Sequence, residues 1–139
     1  MRAAGIDLGR VRVGVAVADE LGLMAHPRPY LDGKNPKRLL SRLRELAESE
    51  QIGVFVLGLP RHLDGREGTA ARRARRFAEE LSRATGLPVE LQDERLTTVE
   101  AAGRLREQGL DSRAARARID SAAAALLLQS WLDARRREP

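Results

Sequence analysis

The sequence predicts an α/β fold, a mixed five-stranded sheet with helices on both faces. Three observations predict it. The chain opens with two short apolar runs separated by a tight Gly9–Arg10 turn, which reads as an antiparallel hairpin. Behind the hairpin, helix-period and strand-period segments alternate to the end, as β-α-β units do. Gly53–Leu57 is a continuous apolar run, the pattern of a strand covered on both faces.

Each element has its own signal. Ala4–Gly9 and Arg12–Ala18 are the hairpin strands. In the second, Val13, Val15 and Val17 face one way, and Gly14, Ala16 and Ala18 the other. Residues near Arg28–Leu31 are a candidate third strand. A helix is expected from about Lys37 to Glu50, because Leu39, Leu40, Leu43, Leu46 and Ala47 recur at helical spacing. The loop Gly58–Gly68 follows the central strand and leads to a helix from about Thr69 to Ala84, stopped by Gly86. Pro88–Leu91 is a short strand. Thr97 and Glu100 fit a capping box that opens a helix to about Gln108, ended by Gly109. The last helix, about Ala114 to Arg135, has small residues from Ala122 to Ala125 that would let it lie close on a sheet. Trp131 is expected to pack it there. The order β-β-β-α-β-α-β-α-α suits the ribonuclease H-like fold.

Composition narrows the chemistry. With 139 residues the chain fits one domain. It has no cysteine, which excludes disulfides, thiolate zinc sites and thiol nucleophiles. Two histidines, His26 and His62, are too few for a histidine-rich metal site. There is no bilayer-length apolar run and no signal-like start, so a cytoplasmic protein without a membrane partner is expected. The net charge of +5 attracts polyanions. Lys34 and Lys37 are the only lysines, and arginine forks onto phosphate better than lysine. Aromatic residues, at 3%, are too scarce for base stacking to dominate binding.

Four acids stand out. Asp7 lies in an otherwise apolar strand, where an unpaired carboxylate is costly and calls for a partner or a metal. Ile6 and Leu8 point away from it, leaving Asp7 on a face with Gly5 and Gly9. Asp93 and Glu94 follow a strand at its carboxyl end, where ligands bind in open α/β sheets. Adjacent residues point apart, so only one of the two is expected to face a metal. Asp120 sits early in the last helix, on the face that continues through Ala123, Ala124 and Leu127. Carboxylates from separate elements suit Mg2+ or Mn2+, and two such ions hydrolyse phosphodiesters. The expected phosphate contacts are Arg61 and Arg66 in the Gly58–Gly68 loop, a lid candidate, with Arg72, Arg73, Arg75 and Arg76 on the next helix. Arg113, Arg116 and Arg118 form a second basic stretch.

Four blocks carry a resemblance. They are Gly5-Ile6-Asp7-Leu8-Gly9 with Arg12-Val13-Gly14-Val15-Ala16, and Gly58-Leu59-Pro60 with Asp64-Gly65. Asp93-Glu94-Arg95-Leu96-Thr97-Thr98 follows, then Ile119-Asp120 with Ala123-Ala124 and Leu128-Gln129. In this order and length they resemble the YqgF family, whose members carry the names pre-16S ribosomal RNA nuclease and Holliday junction resolvase. The resemblance implies a ribonuclease H-like, metal-dependent nuclease with Asp7, Glu94 and Asp120 as catalytic and metal-holding acids. Asp93 is then structural. Arg12 and Arg95, within the quoted blocks, join the expected nucleic-acid contacts. Two departures stand outside the acids: Val11 where the family often has lysine, and Ala18 where it often has serine.

The resemblance implies structured RNA, in maturation of the 5′ end of pre-16S ribosomal RNA, as substrate. Branched DNA is the alternative, and ribosomal particles are a possible partner. A monomer or a homodimer fits either. A binding module without catalysis would keep the arginines but not need Asp7. Asp7-Leu8-Gly9 also resembles the first phosphate loop of actin-like ATPases, which need two lobes where this length supplies one.

Overall fold

The structure is a computed structural model, and it describes residues 2–107 and 121–137. Five strands form one sheet in the order β3-β2-β1-β4-β5. They are β1 (Arg2–Leu8), β2 (Arg12–Ala18), β3 (Ala25–Asp32), β4 (Ile52–Leu59) and β5 (Val89–Asp93). The first three pair antiparallel; β4 and β5 run parallel to β1. The helices are α1 (Pro36–Ser49), α2 (Thr69–Thr85), α3 (Val99–Glu107) and α4 (Ala122–Arg137), with a 3-10 turn at Glu94–Leu96. The fold class expected from the sequence is borne out.

The strand alternation assigns the two faces. Ala4, Ile6, Val13, Val15 and Val17 pack with Leu39 and Leu43 of α1 and Phe77 and Leu81 of α2. Ala3, Ala16, Ala18 and Val56 pack on the other face with Ala124, Leu128 and Trp131 of α4. On that second face the side chains are small, and the helix comes close. A Cβ on Gly5 would stand 2.8 Å from Leu128 Cβ and 3.0 Å from the Ala124 carbonyl oxygen. Two buried polar side chains fix α4 in register. Ser121 Oγ accepts from the Val15 N–H at 3.1 Å, and Gln129 accepts from Ala25 N–H at 2.9 Å while donating to the Leu23 carbonyl.

The boundaries differ from the sequence reading in four places. The central strand runs Ile52–Leu59, so Gly58 and Leu59, expected to open the loop, belong to β4. The third strand is longer, and it carries Pro27 and Pro29. An edge strand tolerates proline because one side of its backbone has no ladder to complete. The strand expected at Pro88–Leu91 continues to Asp93 as β5. The helix expected from Thr97 starts later: Thr98 is the cap, its Oγ1 accepting from Ala101 N–H at 3.0 Å. Thr97 instead closes the 3-10 turn, donating from its N–H and its hydroxyl to the Glu94 carbonyl. The expected helix ends at Gln108 and Ala114 lie outside the described residues.

Candidate active site

β1, β4 and β5 are parallel, so their carboxyl ends lie on one edge of the sheet. Asp7 is near the end of β1, and Glu94 comes directly after β5. β4 stands between them, which separates their backbones by two strand spacings, roughly 10 Å. The side chains converge because β4 is bare at this level. A Cβ on Gly58 would lie 3.0 Å from Glu94 Oε1 and 3.4 Å from Leu127 Cδ2. The Glu94 side chain therefore lies across β4 toward α4. Asp7 and Glu94 line one pocket of about 240 Å³ with Thr97, Ala123, Leu126 and Leu127.

The electrostatics of this pocket are unfavourable for two bare carboxylates. Partial burial pushes the Asp7 carboxyl above its ordinary value. Glu94 is raised as well, first by partial withdrawal of its carboxyl from water, then by the negative charges of Asp7 and Asp93. Among the described residues, neither acid has a hydrogen-bonding or ion-pairing cation. Two under-compensated oxygen donors converging on one space suit a hard divalent cation such as Mg2+ or Mn2+. No larger cluster of acid, histidine or cysteine ligands occurs among the described residues. Asp120 and Arg116, with Arg113 and Arg118, lie outside them.

Asp93 is in the opposite state. Its carboxylate accepts from the Arg95 backbone N–H at 2.9 Å and from Arg95 Nη2 at 2.6 Å, and Arg61 Nη1 lies 3.7 Å away. The Arg95 side-chain bond, with that backbone N–H and the charges of Arg95 and Arg61, holds its pKa down to about 2. The adjacent acids thus separate by environment: Asp93 is held by cations, and Glu94 faces Asp7.

Several of the arginines expected at phosphate are paired with acids instead. Arg61 bonds Glu67 at 3.3 Å, Arg75 bonds Glu67 at 2.6 Å, Arg66 bonds Asp64 at 2.6 Å, and Arg95 bonds Asp93. These are charge-neutralised within the fold. Arg73 donates to the Gly9 carbonyl at 3.1 Å, Arg72 to Thr69 Oγ1 at 3.4 Å, and the Arg12 guanidinium lies 5.1 Å from the Tyr30 ring centroid. Arg76 lines a second pocket with Arg73, Phe77 and Glu80. The loop after β4 is folded on itself: His62 N–H donates to the Arg66 carbonyl and Gly65 N–H to the His62 carbonyl. Sequence reasoning missed the Glu67 and Asp93 pairings. The only sequence signal was the number of acids interleaved with the loop arginines. It also missed the role of Gly58, which it placed at the start of the loop and which lies inside β4.

The sheet order and the carboxylates at the ends of β1 and β5 define a ribonuclease H-like fold of the resolvase type. Thermus thermophilus RuvC shares it: its structure aligns over 98% of this chain and 96% of its own, with a TM-score of 0.64 at 18% identity. The same protein in complex with a Holliday junction substrate aligns with a TM-score of 0.62 at 19% identity, over 98% and 96% of the two chains. The chain belongs to the RuvX family, described as Holliday junction resolvase, whose profile matches residues 1–134; this is the YqgF family of the sequence resemblance. A relative from Anaeromyxobacter sp. (strain Fw109-5), named "Putative pre-16S rRNA nuclease", is 50% identical over 135 residues, 97% of this chain and 98% of its own. A relative of the same name from Myxococcus xanthus (strain DK1622) is 43% identical over 98% of this chain and 90% of its own. The family is one of nucleases, hydrolases of phosphodiester bonds, as the sequence led us to expect.

Proposed function

We propose that this protein is a divalent-metal-dependent endonuclease that trims the 5′ end of pre-16S ribosomal RNA in the cytoplasm. The observation that carries the chemistry is the convergence of Asp7 and Glu94 on one pocket over Gly58, with no cation against either among the described residues. The substrate rests on the names of relatives that match nearly the whole chain. No helix among the described residues is long and apolar enough to cross a membrane.

In this reading residues 1–139 act as one nuclease domain, and Asp7, Glu94 and Asp120 hold Mg2+ or Mn2+. When bound, the metal activates the attacking water and stabilises the leaving oxygen. The protein's own part is positional. Gly58 gives Glu94 room to reach Asp7. Ala123, Leu126 and Leu127 wall the pocket with apolar surface, which strengthens charge interactions inside it. Arg72, Arg73 and Arg76, with Arg12 and Arg116, supply phosphate contacts; Arg95, expected beside them, is held by Asp93 instead. Ribosomal particles are a proposed partner, as source of the precursor.

The family description favours a second reading, cleavage of branched DNA. Each copy carries one set of acids, so resolving a junction by two cuts requires a homodimer. The test uses a labelled ribosomal RNA precursor and a four-way DNA junction, each with Mg2+, with Mn2+ and with chelator, beside Asp7→Asn. Metal-dependent cutting of the RNA alone, abolished in the variant, is the expected outcome. Cutting of the junction alone replaces the substrate. Tight binding with no cutting under any condition makes this a binding protein.

A further inference from the structure

The loop after β4 and the end of β5 are joined by an alternating chain of charges. It runs Arg75–Glu67–Arg61–Asp93–Arg95, with separations of 2.6, 3.3, 3.7 and 2.6 Å. Arg61 is its central member. It is half-buried, at 29% side-chain exposure, and its Nε atom is buried with no hydrogen-bond partner among the described residues. A guanidinium in that state serves through its two Nη atoms, one on Glu67 and one on Asp93.

Through Nη1 Arg61 is ion-paired with Asp93 at 3.7 Å, while Arg95 makes the hydrogen bonds to it. Asp93 caps the 3-10 turn Glu94–Leu96, its Oδ1 accepting from the Arg95 N–H at 2.9 Å. The first residue of that turn is Glu94, whose carboxyl lies against Gly58. Asp93 thus caps the turn whose first residue carries the carboxyl that lies over Gly58. Arg61 and Arg95 grip Asp93 from separate elements, one in the loop and one in the turn itself.

We propose that Arg61 is a positioning residue for the nuclease reaction: acting through Asp93, it fixes the turn that directs Glu94 toward Asp7. This rests on the proposed nuclease reading and departs from the expectation that Arg61 contacts phosphate. A phosphate ligand would add directly to substrate affinity. A positioning residue acts on the rate, and only while Asp93 is there to transmit it.

A double-mutant cycle separates the two roles. Arg61→Ala, Asp93→Asn and the double variant are compared with wild type for cleavage and for substrate binding without metal. Arg61→Gln, which keeps length without charge, runs alongside in case the alanine variant does not fold. The expected result for Arg61→Ala is a fall in kcat on the order of 10- to 100-fold, the scale of a small misplacement of a reacting group. Binding should change less than about twofold, and the double variant should be no slower than Asp93→Asn. Rate effects that multiply in the double variant, or a defect confined to binding, overturn the proposal.

Amide hydrogen exchange gives a readout independent of catalysis. The Arg95 and Thr97 amides, bonded to Asp93 and to the Glu94 carbonyl, should lose protection in Arg61→Ala and Arg61→Gln. Unchanged protection there overturns the proposal. If wild type cuts neither substrate, the nuclease reading fails and the exchange result alone decides whether Arg61 orders the turn.

Discussion

Asp7 is the residue where folding and chemistry pull apart. Its carboxyl is raised by burial, so the folded state holds its proton more tightly than the unfolded chain does. The sign follows: as pH rises through the ordinary value of 3.8 and on through the raised folded value, the metal-free protein loses stability at this position. Asp7→Asn removes that penalty. Its metal-free melting temperature should exceed wild type at neutral pH and converge with it below pH 3.8. Thermal melts in chelator across that range check it, and a neutral-pH Tm below wild type would mean that Asp7 has a stabilising partner. The same variant should cleave nothing. Asp7 was legible in the sequence because a carboxylate inside an apolar strand is locally anomalous. The choice between Asp93 and Glu94 was not legible from spacing and rested on the resemblance. Their difference lies in which cations the fold brings up, and Arg61 arrives from a separate loop.

At the scale of elements, two glycines do different work on the same face of the sheet. Gly5 lets α4 sit against β1, and its neighbours are the Leu128 Cβ and a backbone oxygen, which cannot swing away. Gly5→Ala should therefore cost about 1–3 kcal/mol of stability, as overpacking does. Gly58 instead faces the end of a side chain, Glu94 Oε1. A methyl group there is relieved by moving the carboxyl. Gly58→Ala should lose less than about 1 kcal/mol of stability and yet lose most of the cleavage rate. Urea unfolding and cleavage assays on both variants check the split; a Gly58→Ala protein with full activity would show that Glu94 has room to spare. The strands and α1 and α2 were readable from periodicity. The start of α3 was not, because a capping box at Thr97 cannot be told from one beginning at Thr98 until Asp93 is seen to cap a turn of its own.

Across the whole molecule, the sign of the charge was legible but its placement was not. Arginines eight positions from an acid, such as Arg75 and Glu67, become partners only through the path of the loop and α2. Arginines already paired with acids displace few counterions from a phosphate backbone, so they should contribute little to the salt dependence of nucleic-acid binding. Arg72 and Arg76 have no acid partner among the described residues. They sit in the first half of α2, which follows the carboxyl end of β4, so they share an end of the molecule with Asp7 and Glu94. Arg73 ties this part of α2 to Gly9, beside the β1–β2 turn. A nucleic-acid backbone reaching the pocket from α2 would cross that turn. The double variant Arg72→Ala/Arg76→Ala should lower the slope of log binding constant against log salt by about two, because two phosphates keep their counterions. Arg75→Ala should change the slope by less than about 0.5, because Glu67 already offsets that charge. Binding titrations over a range of salt concentrations measure both. The reverse pattern is a slope lowered by about one in Arg75→Ala and unchanged in the double variant. It would move the path of the substrate to the loop after β4, on the side of the pocket where Arg61 and Arg95 stand.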